Sequence, residues 1–177
     1  NEYMRKAMFL DRDGVINKIF IRNGLPFSPP SFDQLKILPG VKESILRLKK
    51  LNFLCLVVTN QPDVSRGKIE KKTVIKMNNY LKDEIKLDDI FVCYHDDKDN
   101  CKCRKPKPGM IIQASKKWDI DVRKSFMIGD RWRDIQAGIS AGCKTIFIDN
   151  NYNEDKRVKA SYTSANLVDA VFIIEKL

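Results

Sequence analysis

The sequence predicts an α/β fold, a doubly wound parallel sheet with no large cap domain, and three observations carry that expectation. Short apolar runs of strand length alternate with longer stretches whose apolar residues keep a helical period. Several of those runs stop at polar clusters rich in aspartate. The length of 177 residues, 43% hydrophobic and 32% charged, suits one domain (1–177) with a sizeable core and leaves little room for a second.

Ala7-Met8-Phe9-Leu10 reads as a buried strand that ends at Asp11. Between Val15 and Pro39 the prolines Pro26, Pro29 and Pro30 break any period, so a loop or small flap is expected. Pro39-Gly40 opens a helix through Leu51, with Val41, Ile45, Leu48 and Leu51 on one face. Phe53 to Val58 is a second buried strand, ending at Thr59, and Glu70 to Ile85 is helical with Val74, Met77, Leu81 and Ile85 in phase. Ile90-Phe91-Val92 forms a third strand that runs into a cysteine cluster. Gly109 to Trp118 reads as a helix, Ser125 to Ile128 as a strand ending at Gly129-Asp130, and Ile135 to Ala141 as a helix. Thr145 to Ile148 is a further strand, and Leu167 to Glu175 closes the chain as a helix. Such alternation implies right-handed crossovers, helices on both faces, and ligands bound outside the carboxyl ends of the strands. The chain shows no internal repeat, low-complexity tract or linker.

No apolar run approaches the roughly 20 residues of a membrane span, and the segment Asn1-Glu2-Tyr3-Met4-Arg5-Lys6 carries no secretory signal. A cytoplasmic protein is therefore expected. The formal charge of +10 admits a nucleic-acid partner. The basic residues are scattered, however, with no long block and no aromatic interleaving, so a solvated lysine-rich surface is the plainer account. Five cysteines in such a chain argue against a disulfide framework. Cys55 and Cys143 read as small core residues.

The chemistry gathers where strands stop: Asp11-Arg12-Asp13-Gly14, Thr59-Asn60-Gln61, Cys93-Tyr94-His95 and Gly129-Asp130-Arg131. In a parallel sheet these four clusters share one rim. Asp11, Asp13 and Asp130 repel one another unless a cation sits among them, and an all-carboxylate set suits Mg²⁺. Magnesium beside a carboxylate nucleophile points to phosphoryl transfer through an acyl phosphate, with a second aspartate to move the proton. Thr59 offers a hydroxyl to a phosphate, and Lys105, in Arg104-Lys105-Pro106-Lys107-Pro108, offers positive charge. Taken singly, the aspartates also fit strand-end turns or a helix N-cap, Thr59 fits a β-branched strand residue, and Arg104 and Arg131 fit surface charges.

Cys93, His95, Cys101 and Cys103 supply the four ligands of a closed tetrahedral zinc site, with free thiols or a redox pair as the other accounts. Such a site would pin the loop that carries Arg104 and Lys105. His95 is the only histidine, which excludes a histidine-based nucleophilic triad. Asp96, Asp97 and Asp99 lie in the same loop and are read as solvating it.

In order, Asp11-Arg12-Asp13-Gly14-Val15-Ile16-Asn17, Thr59-Asn60-Gln61, Lys105 and Gly129-Asp130-Arg131 through Asp134 resemble the four motifs of the haloacid dehalogenase (HAD) superfamily, from about Ala7 to Asp149. Cys93-x-His95 with Cys101-x-Cys103-Arg104-Lys105-Pro106 resembles its zinc-bearing branch of heptose-bisphosphate phosphatases and histidinol-phosphatases. The resemblance implies Asp11 as nucleophile, Asp13 as acid and base, and magnesium on Asp11, Asp130 and the main-chain carbonyl of Asp13. Asp134 would stand behind the metal, Thr59 and Lys105 would hold the transferring phosphate, and Asn60, Arg104 and Arg131 would touch substrate.

The expected partner is thus a small phosphorylated metabolite bound by a monomer, with neither membrane nor nucleic acid. A heptose bisphosphate leads. Histidinol phosphate, a polynucleotide end and a zinc-stabilised binding module without catalysis are the rivals. Two local departures bear on substrate: the His95–Cys101 loop is short, and Pro62-Asp63-Val64-Ser65-Arg66-Gly67 follows Gln61 where the heptose enzymes commonly show Ser-Gly.

Overall fold

A computed structural model describes residues 3–155 and 157–177. Asn1 and Glu2, at the head of the segment read for a leader, lie outside the described residues. Six parallel strands form one sheet in the order β5-β4-β1-β6-β7-β8. They are β1 (Lys6–Leu10), β4 (Phe53–Asn60), β5 (Asp89–Cys93), β6 (Phe126–Gly129), β7 (Lys144–Ile148) and β8 (Tyr162–Ser164). Between β1 and the first helix, β2 (Phe20–Arg22) and β3 (Leu25–Phe27) pair as an antiparallel hairpin. The helices are α1 (Val41–Lys50), α2 (Lys71–Ile85), α3 (Gly109–Trp118), α4 (Trp132–Ala141) and α5 (Leu167–Glu175).

The apolar strand runs split by parity into two cores. Met8 and Leu10 of β1, Cys55 and Val57 of β4, and Phe126 and Ile128 of β6 face α1, α2 and α5. Ala7 and Phe9, Leu56 and Val58, and Met127 face α3 and α4. Period-2 alternation within continuously apolar strands is what a sheet covered on both faces requires. Each fully buried Leu or Ile contributes about 1.5–3 kcal/mol relative to exposure. Cys55 and Cys143 are buried thiols within these cores.

From β1 the chain winds outward through β4 to β5, then returns to build β6, β7 and β8 on the other side. The direction reverses at β1, so the crevice above its carboxyl end is the expected ligand site. Three differences from the sequence reading stand out. The 15–39 flap is not wholly irregular: it holds the β2–β3 hairpin, turned at Asn23-Gly24, where both residues have positive φ. That is the two-residue turn whose twist matches a hairpin. α4 starts at Trp132 rather than Ile135, because Asp134 Oδ2 accepts the Arg131 N–H at 3.0 Å and caps the first turn. β8 is a three-residue edge strand with no apolar run to announce it. Among the described residues no large cap domain covers the rim, and no helix is long and apolar enough to cross a membrane.

Candidate active site

β1 delivers Asp11 to the rim, β6 delivers Asp130, and the first turn of α4 delivers Asp134. One oxygen from each of these three buried carboxylates lies within 4.8 Å of the others. Two glycines make this approach possible. Gly14 has φ +83°, and a β-carbon there would collide with Asp130 Oδ2; a β-carbon on Gly129 would collide with the Asp134 side chain.

Lys105 reaches the same cluster from the loop after β5 and is itself buried. Its Nζ donates to Asp11 Oδ1 at 2.8 Å, Asp134 Oδ1 at 2.6 Å and the Val58 carbonyl at 2.7 Å. Asn60 holds that loop by two bonds: its Nδ2 donates to the Lys105 carbonyl at 3.1 Å, and its Oδ1 accepts the Lys105 N–H at 3.0 Å. The Lys105–Pro106 peptide is cis.

One lysine does not neutralise three carboxylates. Burial and the Asp134 charge push Asp11 up to about 6 against the opposing pull of Lys105. Burial and the charges of Asp11 and Asp134 also raise Asp130 well above its ordinary value. Lys105 is held above its ordinary value by the same two carboxylates, although burial alone would lower it. Asp130 Oδ2 accepts from the Tyr152 hydroxyl and from Asn150 Nδ2, whereas its buried Oδ1 has no partner among the described residues. An unpartnered carboxylate oxygen inside a repelling triad fits a hard divalent cation.

Asp13 turns its carboxylate elsewhere. Oδ1 accepts from Arg12 Nη2 at 2.8 Å and Asn17 Nδ2 at 3.0 Å, and Oδ2 accepts from Ser28 Oγ at 2.5 Å and Gln61 Nε2 at 2.9 Å. Burial alone would raise Asp13, but the Arg12 guanidinium and these hydrogen bonds hold it below the usual carboxylate range. Thr59 is fully buried behind the rim, where its Oγ1 accepts from Gln61 Nε2 at 3.0 Å. Arg131 pairs with Glu154 at 2.7 Å and Arg104 with Asp97 at 2.8 Å.

These groups open into a cleft of about 340 Å³, lined also by Pro26 and Phe27 of the hairpin and by Asn60, Arg66 and Arg133. Thr59 does not line it. Sequence reasoning passed over Arg12, Ser28 and Gln61 around Asp13, and Asn150 and Tyr152 beside Asp130. The last two follow the end of β7, so extending the strand-end rule to that strand finds them. Ser28 lies in the proline-broken flap and gives no such signal.

Beside the cleft, Cys93, His95, Cys101 and Cys103 converge with their ligand atoms within 4.8 Å of one another. Cys93 and Cys101 sulfurs stand 3.7 Å apart, close to the edge of about 3.8 Å for a tetrahedron with Zn–S of ~2.3 Å. Cys93 and Cys103 sulfurs are 2.8 Å apart, and all five cysteines are free thiols. Burial pushes Cys93 and Cys103 up, whereas the Arg104 N–H and neighbouring thiols bring Cys101 down to about 6 in spite of burial. The neighbouring aspartates do more than solvate the loop. Asp96 pairs with Arg66 at 2.7 Å, Asp99 Oδ2 accepts from Ser65 Oγ at 3.0 Å, and Asp97 faces two arginines.

Residues 102–171 match a family model described as HAD-hydrolase-like. The chain is 39% identical over 145 residues to a D-glycero-beta-D-manno-heptose-1,7-bisphosphate 7-phosphatase of Helicobacter pylori, covering 78% of this chain and 80% of that protein. It is 34% identical over 159 residues to a D-glycero-alpha-D-manno-heptose-1,7-bisphosphate 7-phosphatase of Campylobacter jejuni, covering 86% of this chain and 85% of the other. A crystal structure of the D,D-heptose 1,7-bisphosphate phosphatase of B. bronchiseptica, complexed with magnesium and phosphate, superposes with a TM-score of 0.83 at 27% identity. That match covers 97% of this chain and 98% of the other. Identity at this level, over this much of both chains and on this rim of carboxylates, leads to one assignment: the chain belongs to the HAD-like phosphatases, in the family of the heptose-1,7-bisphosphate 7-phosphatases.

Proposed function

We propose that this chain removes the 7-phosphate of a D-glycero-D-manno-heptose 1,7-bisphosphate through an aspartyl-phosphate intermediate. The observation that carries the phosphatase is the buried Lys105 bridging Asp11 and Asp134 at a rim where three carboxylates converge. Asp11, Asp130 and the main-chain carbonyl of Asp13 are the proposed magnesium ligands, with Asp134 behind them. Bound there, magnesium offsets the carboxylate charge and polarises a phosphate oxygen. Asp11 attacks phosphorus, an O–P bond forms, and the sugar oxygen leaves with a proton from Asp13. Water then gives a proton back to Asp13 and its oxygen attacks phosphorus, which frees Asp11 and inorganic phosphate.

Asp13 rests ionised, the state that accepts the proton from water. The arriving phosphate dianion raises its proton affinity, so Asp13 takes up a proton from solvent before donating it to the leaving oxygen. Lys105 is assigned to the transferring phosphate, and Asn60, Arg104 and Arg131 to the substrate. Thr59, buried outside the cleft with its hydroxyl on Gln61, does not have the phosphate contact that the resemblance implies. Asn60 acts indirectly, by holding the Lys105 main chain with both its side-chain oxygen and nitrogen. Structural zinc on Cys93, His95, Cys101 and Cys103 would add binding energy to folding and fix the loop that carries Arg104 and Lys105. A single HAD-like domain over 1–177, acting as a monomer in the cytoplasm, completes the reading; the five free thiols accord with that compartment.

For the substrate, Arg66, Arg104, Arg131 and Arg133 all line the cleft. That set favours a second anionic group over the cationic head of histidinol phosphate. The test is phosphate release with Mg²⁺ from both heptose 1,7-bisphosphate anomers, fructose 1,6-bisphosphate, histidinol phosphate and a 3′-phosphorylated oligonucleotide. A hundredfold preference for one heptose anomer, about 2.7 kcal/mol of transition-state binding, supports the assignment. Weak and even turnover across the panel removes the heptose, and no turnover at all removes the phosphatase.

A further inference from the structure

Asp97 sits in the short 3-10 turn Asp97–Asp99 of the cysteine loop, with its side chain 64% exposed at the cleft. Two guanidinium groups converge on it from different elements. Arg104 Nε donates to Oδ1 at 2.8 Å, and Arg133 on α4 donates through Nη1 to Oδ1 and through Nη2 to Oδ2, each at 3.3 Å. Two guanidinium forks around one pair of oxygens make the environment that binds phosphate best. Each arginine keeps a second anchor, so neither depends on Asp97 alone for its place. Arg104 Nη1 donates to the His95 carbonyl at 3.5 Å, and Arg133 Nη1 to the Lys105 carbonyl at 3.3 Å.

The position relative to the chemistry is equally informative. Arg104 and Lys105 are consecutive, yet Lys105 points to Asp11 while Arg104 points to Asp97. Adjacent residues thus serve two separate anionic positions in the same cleft.

We propose that Arg133 completes, with Arg104, a binding site for the second phosphate of the substrate, and that Asp97 occupies this site as an internal stand-in anion until the phosphate displaces it. The proposal rests on the bisphosphatase reading above. The Asp97 carboxylate is itself 64% exposed and both arginines keep a second anchor, so a phosphate dianion held by the two arginines displaces it without disturbing the fold. The stand-in also keeps two like charges from facing each other in the empty cleft.

The product D-glycero-D-manno-heptose 1-phosphate keeps only the distal phosphate, so its binding reads this site without turnover. Calorimetric titration of the intact protein with that compound should show Arg133→Gln weakening binding about tenfold and Asp97→Asn tightening it several-fold. In steady-state assays Arg133→Gln should lower kcat/KM for the 1,7-bisphosphate about tenfold more than for the heptose 7-phosphate, and Asp97→Asn should shift that ratio the other way. Equal effects on both substrates, with product binding unchanged in both variants, would overturn the subsite while leaving the phosphatase standing. Wild-type protein that binds the 1-phosphate with the expected response to both variants, yet hydrolyses neither substrate, would support the subsite and sink the catalytic reading instead.

Discussion

Two ligand clusters lie near one end of the sheet, and they are built in opposite ways. Asp11, Asp130 and Asp134 are buried, fixed at strand and helix ends, and satisfied only in part. Cys93 is buried at the end of β5, but His95, Cys101 and Cys103 are exposed or half-exposed and hang on a loop whose aspartates are pinned by arginines and a serine. The first arrangement stores repulsion that a cation and a phosphate can use. The second has four ligands and no open position, which suits holding a loop rather than reacting. If this contrast is right, chemistry and stability should separate cleanly between the clusters.

The largest effect expected is from Asp11→Asn, which should cut turnover at least about 10³-fold. In magnesium-free buffer its melting temperature should hold or rise, because one buried charge leaves a repelling set. An equally large loss of stability would break the contrast. Cys101→Ser should act in the opposite sense, with lost zinc in elemental analysis and a melting temperature lower by roughly 10 °C. Its kcat should fall by less than about tenfold, and a stable, zinc-free, fully active variant would refute the structural role.

A pH series sharpens the carboxylate side. Asp11 is raised to about 6 in the folded protein, so the folded state binds more protons than the unfolded chain between about pH 4 and 6. Magnesium-free protein should therefore lose stability as pH rises through that window, by up to about 3 kcal/mol from this group. Magnesium should restore that loss, so its stabilising effect grows with pH. A magnesium effect that is flat from pH 4 to 7 would argue that protons and cation do not share these carboxylates. The smallest effect is at Tyr152. Removing its hydroxyl in Tyr152→Phe takes a donor from Asp130 and should weaken Mg²⁺ binding about tenfold, read by calorimetry on the variant.

Much of this was legible because buried parallel strands write themselves as apolar runs, and the residues after each run mark the rim. Asp11, Cys93 and Asp130 follow that rule, whereas Thr59 stops one residue short of it, with Asn60 reaching the cleft instead. The hairpin was hidden by prolines, although Asn23-Gly24 is itself a strong turn signal. Pro26 stands opposite Ile21 in a two-stranded ribbon, where a missing N–H is tolerated. Asp97 lay beyond sequence reasoning for a different reason. Its partners Arg104 and Arg133 come from a loop and a helix, and only the folded chain shows that one carboxylate meets both.

The bond from Asn150 to the Gly14 carbonyl joins positions 136 residues apart. Asp11 leaves the ribosome early, but the partners that steady its neighbour Asp130 arrive only with Asn150 and Tyr152. At 5–20 residues per second, a nascent chain carries Asp11 for on the order of ten seconds before the residues that complete this carboxylate cluster are made.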